Sequence, residues 1–308
     1  MESVPVAFVD ALCATLKKEN LEKLQQIEEL WTLTVTTHYS KRREFRVTLY
    51  VNPEGTEVEI KVEPFGVYGS SFNHKSLAWS KYDRIIEMDY IEMNQFDQFE
   101  DQPLKMPMER FRTKVLPVLT SLADDYGIYI YVSERYPQHL TDEIFSFLRA
   151  PARVIDTGHA GAKCVEFIEK QIALGRLRKL DLRGQQWPAS IKAPLKSFLK
   201  SPSFLTVHLE RTNLTVDLDM LACIVETLFK GDLRKNISPK LLVGNLSKEM
   251  RDLHCKSLRG DTLPLLDGLS TRPQTCRLDN NEIFWSGPGQ KKLFVHFFDD
   301  YWVRIYQD

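Results

Sequence analysis

The chain has 308 residues, 43% hydrophobic and 27% charged, with 41 Lys and Arg against 42 Asp and Glu. That length allows a large buried core, and the composition is that of a folded chain rather than a disordered one. Balanced charge supplies no field to draw in nucleic acid or an anionic membrane. No stretch of about 18 apolar residues offers a bilayer span, so neither class of partner is expected.

Glu2 and Asp10 interrupt the apolar opening, which therefore reads as neither a signal peptide nor a targeting helix. A cytoplasmic or nuclear location is the expectation. The five cysteines (Cys13, Cys164, Cys223, Cys255, Cys276) are scattered without a C-x-x-C pair and read as buried free thiols. Without a secretion signal, the sequons at Asn213, Asn236 and Asn245 read as chance matches.

In chain order, the opening is helical. After Pro5, a residue tolerated at a helix start, Phe8, Ala11, Leu12, Thr15 and Leu16 recur at three- and four-residue steps, and Leu21, Leu24, Ile27 and Trp31 repeat the pattern. Lys17-Lys18-Glu19 reads as a polar turn and Asn20 as the N-cap of the second helix. Such a hairpin of about 30 residues is too small to be stable unless it packs on something.

From Arg43 the period changes to two. Phe45, Val47, Leu49 and Val51 alternate with polar neighbours, as do Val58, Ile60 and Val62. The turn residues Asn52-Pro53-Glu54-Gly55 between them predict a β-hairpin with one wet face. A boundary near residue 40 follows, giving segments 1–40 and 41–308. Residues 65–79 and 99–108 read as loops and 82–93 as a strand. Residues 108–127 read as a helix kinked at Pro117 and stopped by Gly127.

Beyond it, helix and strand alternate: a strand at 128–132, a helix over 140–150 capped by Thr141, a strand at 152–158 and a helix over 160–175. This order implies parallel strands joined by crossover helices. Leu177, Leu180 and Leu182 share a spacing with Phe204, Val207 and Leu209, 27 positions apart from Leu180 to Val207, and each group precedes a helical pattern. That period falls in the leucine-rich-repeat range. At the end, 275–286, 291–299 and 301–308 read as antiparallel strands.

Chemistry is sparse. The histidines (38, 74, 139, 159, 208, 254, 296) lie far apart, and the adjacent His254-Cys255 point in different directions, so no metal site is expected. "GHAGAKC" (158–164) lacks P-loop spacing and reads as a helix start. No hydrolase elbow, zinc-protease or kinase signature is present; the chain reads as a non-enzyme without a cofactor. Asp124-Asp125 and Asp299-Asp300 read as solvated turns, and Lys41-Arg42-Arg43 as a solvated linker. Phe294, Phe297, Phe298, Tyr301, Trp302 and Tyr306 read as strand core first and interface second.

The opening resembles the F-box, a Leu-Pro start followed by an apolar helical hairpin ending in tryptophan. Val4-Pro5, Leu12, Leu16, Leu21, Leu24, Ile27 and Trp31 take the corresponding positions, with Val4 for the usual leucine, Ala7 for a common acid and Asn20 for a common aspartate. The whole chain is similar, in texture, to nematode-type F-box proteins with an F-box-associated domain, which often begin M-x-S-V-P and run to about this length.

That resemblance implies an α+β fold. A small F-box-like helical hairpin would precede an irregular α/β, leucine-rich-repeat-like domain that closes with antiparallel strands. It also implies a substrate-recognition subunit of a cullin-RING (SCF-type) ubiquitin ligase, with the adaptor protein, the cullin scaffold and an unidentified protein substrate as partners. Adaptor contacts are expected from Val4, Pro5, Phe8, Leu12, Leu16, Leu21, Leu24, Ile27 and Trp31. Substrate contacts are expected from Arg178, Lys179, Arg183 and Arg211. The alternative is a non-catalytic scaffold whose hairpin only caps the fold, and it expects the segment from Val4 to Trp31 to be wholly buried.

Overall fold

The computed structural model describes residues 5–16, 18–26, 31–52, 54–66, 79–92, 104–130, 138–230, 239–258, 275–277, 282–286, 292–298 and 301–307. The expected loop at 65–79 and the turns at 299–300 fall mostly or wholly outside them. The chain divides into two units, Met1–Tyr129 with Ser146–Ala150, and Ile130–Phe145 with Pro151–Asp308.

The first unit opens with three helices rather than the two of a hairpin: α1 (Val6–Thr15), α2 (Lys18–Gln25) and α3 (Thr32–Lys41). Pro5 is the N-cap of α1, as the pattern suggests. Asn20 is not a cap, because Lys18 already opens α2. The third helix was illegible because its "TLTVTT" run is β-branched and weakly helical by propensity. Tertiary burial overrides that preference: Val35 joins Val9, Cys13 and Leu21 in a small core flanked by Leu16, Leu24, Trp31 and Tyr39.

The cluster Lys41-Arg42-Arg43 is not a solvated linker. Arg42 is buried and donates to the Cys13 carbonyl at 2.7 Å, tying the end of α3 to the end of α1. Arg43 grips Asp83 with two hydrogen bonds of 2.7 and 2.8 Å. Arg84 donates from Nε to the Ala14 carbonyl at 3.0 Å. Asp10 on α1 accepts from His38 of α3 at 2.9 Å and from Lys81 at 2.8 Å. Lys81, first, and His38 hold the Asp10 carboxyl below the usual range. The helices are thereby bound to the strands that follow them.

Those strands are β1 (Arg43–Val51), β2 (Glu57–Pro64), β3 (Asp83–Glu92), β4 (Leu104–Pro107) and β5 (Ala123–Ile130), in the sheet order β5-β3-β1-β2-β4. The expected hairpin is β1 and β2, antiparallel with Val47 opposite Val62. Parallel β3 lies on its other side. Part of the expected loop at 99–108 is instead β4, which covers the edge of β2.

The helix after it runs on but changes its winding: α4 (Met108–Arg110), a π turn (Phe111–Val115) and α5 (Leu116–Leu122), with Pro117 directly after the π turn. Gly127 is not its stop, since β5 begins at Ala123, and Asp125 lies in that strand at φ 56 rather than in a turn.

In the second unit, strands and helices alternate as expected: α6 (Gln138–Phe147), β6 (Ala152–Gly158), α7 (Gly161–Ala173), β7 (Lys179–Gly184), α8 (Lys192–Leu199), β8 (Thr206–Thr212), β9 (Thr215–Val216) and α9 (Leu218–Lys230). Thr141 lies inside α6 rather than capping it, its hydroxyl donating to the Gln138 carbonyl. Two further elements, β10 (Leu241–Leu246) and α10 (Lys248–Leu258), complete the alternation where the sequence had suggested nothing.

Strands β6, β7, β8 and β10 run parallel. Ile155, Leu180, Val207 and Leu242 stand opposite one another in register, so the 27-residue spacing becomes one buried row. The antiparallel end is β11 (Thr275–Arg277), β12 (Glu282–Ser286), β13 (Lys292–Phe298) and β14 (Trp302–Gln307), in the order β10-β14-β13-β12-β11.

Helices cover one face of this sheet. His254 of α10 stacks on Phe297 of β13, and Phe167 of α7 lies against Phe145 of α6. On the opposite face, β7, β8 and β14 carry exposed or half-buried side chains such as Lys179, Asp181, His208 and Arg304.

Candidate functional site

Two surfaces carry the residues singled out by the sequence. The first is α1. Pro5 fixes its start, its carbonyl accepting from the Phe8 amide at 2.9 Å and the Val9 amide at 3.2 Å. Val9 and Cys13 turn into the three-helix core, leaving Phe8 and Leu12, one turn apart, on the outside at 59% and 37% exposure. Pro5 is exposed beside them. Val6 and, on α3, Leu33 are exposed as well, and neither was anticipated.

The other expected adaptor residues divide. Leu21 is fully buried in the helical core, Leu16, Leu24 and Trp31 are half-buried against it, and Val4 and Ile27 lie outside the described residues. Periodicity finds both sets because it registers apolar recurrence, not which side of the helix the rest of the chain occupies.

The second surface is the open sheet face of the second unit. Lys179, Asp181 and Arg183 point outward from β7, alternating with buried Leu180 and Leu182. On β8 the register slips between Asp181 opposite His208 and Arg183 opposite Arg211, which leaves one extra residue in β8. This bulge turns Glu210 and Arg211, consecutive in sequence, both to solvent.

The result is a concavity of about 130 Å³ lined by Asp181, Arg183, His208, Glu210 and Arg211. Of the four expected substrate contacts, Arg183 and Arg211 meet there. Lys179, outward on β7, and Arg178, just before that strand, are exposed outside its lining.

Beside it, nearly buried Asp156 of β6 accepts from Arg183 at 2.7 Å, and Asp181 lies 3.7 Å from the same guanidinium. Burial, first, and then the neighbouring Asp181 push the Asp156 carboxyl up to about 6, although Arg183 and Arg211 pull it down. Sequence reasoning missed Asp156, since a single acid in an apolar strand signals nothing until the facing strands are known.

The loops at the ends of these strands are braced by side chains. Asn213 accepts from the Trp187 amide at 3.0 Å and donates to the Trp187 carbonyl at 2.9 Å. Asn245 donates to the Thr212 carbonyl at 2.9 Å. Two of the three sequon asparagines thus serve the fold, and Asn236 lies outside the described residues.

On the same open face the antiparallel strands carry stacked rings. Phe284, Phe294 and Tyr306 line up across β12, β13 and β14, with centroids 6.0 and 5.1 Å apart, and Phe298 lies 3.7 Å from Trp302. Phe297 is core. The C-terminal aromatics therefore serve both faces of one sheet. Their rings stack on one another across the strands, which stabilises the sheet.

Cys13, Cys164 and Cys223 are buried, but Cys255 is exposed, contrary to expectation. Burial pushes the Cys164 thiol up to about 12, leaving it inert. Among the described residues no group of three or more His, Cys, Asp or Glu side chains is arranged to hold a metal ion, and no helix is long and apolar enough to cross a membrane. No protein-family model matches this chain, and no curated protein or solved structure matches it.

Proposed function

We propose that the chain is the substrate-recognition subunit of an SCF-type cullin-RING ubiquitin ligase, docking on the adaptor through α1 and presenting the open sheet face of its second unit to a protein substrate. The observation that carries this reading is the outer side of α1. Pro5, Phe8 and Leu12 are exposed while the inner side of the same helix is fully packed. Burying such a stripe on a partner is favourable, and a helical apolar face is a common means of protein recognition. Within this reading Leu16, Leu21, Leu24 and Trp31 hold the three helices together, so the docking residues are fewer than the F-box resemblance implies.

The scaffold reading expects the whole segment to be buried within the chain. The burial of Leu21 favours it, but the exposure of Phe8 and Leu12 does not. The test is co-expression with the ligase adaptor followed by size-exclusion chromatography, comparing the natural chain with a Phe8→Asp, Leu12→Asp variant. A one-to-one complex lost in a variant that keeps its circular dichroism spectrum is the expected result. A natural chain that elutes alone overturns the proposal and leaves the scaffold reading.

A further inference from the structure

Resting on the recognition role proposed above, we infer that the concavity between β7 and β8 takes a peptide segment of mixed charge, one basic and one acidic side chain on the same side of an extended strand. The charges that face a ligand there are set by the bulge in β8. It brings Glu210 and Arg211 out together, and neither side chain forms an ion pair among the described residues.

Arg183 is differently placed. Its guanidinium is already compensated by Asp156 at 2.7 Å and Asp181 at 3.7 Å. What remains for a ligand is Arg211, which feels Asp156 only at a distance, beside Glu210, neither held in an ion pair among the described residues, with His208 and Asp181 alongside.

A phosphorylated side chain, carrying roughly two negative charges, would meet in this lining Arg211 and an Arg183 already paired with Asp156, and would be repelled by Glu210 and Asp181. A purely basic segment would leave Arg211 unmatched. A peptide that places a Lys or Arg near Glu210 and an Asp or Glu near Arg211 satisfies both. In an extended ligand, side chains two positions apart share a face, so the matching pair stands at i and i+2. The volume of about 130 Å³ is that of a shallow seat for side-chain ends rather than a pocket that encloses a ligand.

The test uses the full-length chain and bead-bound dodecapeptide mixtures that differ only at three central positions: Lys-Ala-Asp, Asp-Ala-Lys, Lys-Ala-Lys, a single phosphoserine, or Ala-Ala-Ala. Retention by one of the two mixed-charge pools at least about fivefold above the phosphoserine, Lys-Ala-Lys and alanine pools is expected. A charge-swapped variant, Glu210→Arg with Arg211→Glu, keeps the net charge and is expected to invert the preference between Lys-Ala-Asp and Asp-Ala-Lys.

Equal or better retention by the phosphoserine pool overturns the inference. So does a swap that remains folded by circular dichroism but leaves the order unchanged, or the absence of retention by any pool. Competition by free lysine plus aspartate as effective as competition by the peptide would make this a small-molecule site and overturn it too. Adaptor binding, measured on the same preparations, reads the other surface. Its loss with pool preference intact refutes the ligase reading alone, and the converse refutes only the substrate class.

Discussion

The division of α1 into an inner and an outer side is best tested by energies of opposite kind. Full burial of a Phe or Leu side chain is worth about 1.5–3 kcal/mol. Phe8 retains 59% of its surface and Leu12 37%, so covering them on a partner contributes about 1–2 and about 0.5–1 kcal/mol. A Phe8→Ala, Leu12→Ala variant should therefore bind the adaptor roughly thirtyfold more weakly, about 2 kcal/mol at 1.4 kcal/mol per factor of ten.

The same variant should change folding stability by less than about 0.5 kcal/mol, since exposed sites away from caps and networks rarely do more. Leu21 is the opposite case. It is fully buried, and Leu21→Ala should cost about 2–5 kcal/mol of stability through lost transfer energy and the cavity left behind. Isothermal titration calorimetry against the adaptor and urea unfolding read the two quantities separately. A double variant that loses as much stability as Leu21→Ala, or one that folds normally and binds with unchanged affinity, would refute this division of α1.

Two other outcomes follow from the second unit and from β3. Asp156 and Asp89 are pushed up to about 6, in both cases first by burial. Below the unfolded value of about 4 both states hold the proton and no penalty exists. As pH rises to 6 the unfolded chain releases its proton first, so the penalty is complete above about 6 and amounts to about 2–3 kcal/mol per group at most. Urea unfolding of Asp156→Asn against the natural chain should shift in the variant's favour by about 2 kcal/mol between pH 4 and pH 7, and a pH-independent difference contradicts this.

Gly161 opens α7 at φ +79, and a Cβ there would meet Gln138 Nε2 at 1.6 Å. Gly161→Ala should cost about 2–3 kcal/mol, from the left-handed backbone and the loss of the bond from Gln138 to the Ala160 carbonyl; a melting temperature equal to that of the natural chain would show that α7 starts differently.

Periodicity alone was enough to place α1, the β1–β2 hairpin, β6 through β8 with their helices, and the closing antiparallel strands. In each, the alternation of apolar and polar residues matches the geometry of the element, and neighbouring turn residues mark its ends. The elements it missed have local signals that contradict their final state. The β-branched run of α3, the "ADDYG" of β5 and the "LKMP" of β4 become regular only because a packed core or a neighbouring strand supplies what propensity withholds.

For the candidate sites the same limit applies more sharply. The sequence determined that Pro5, Phe8, Leu12 and Leu21 belong to apolar helical faces, and that Arg183 and Arg211 ride on equivalent strands. Only the tertiary structure decided that Leu21 is core while Phe8 and Leu12 are surface. It also decided that a bulge sets Glu210 beside Arg211, and that Arg183 is already neutralised by Asp156. Exposure and ion pairing depend on which distant segment occupies the neighbouring space, and a one-dimensional pattern carries no record of that.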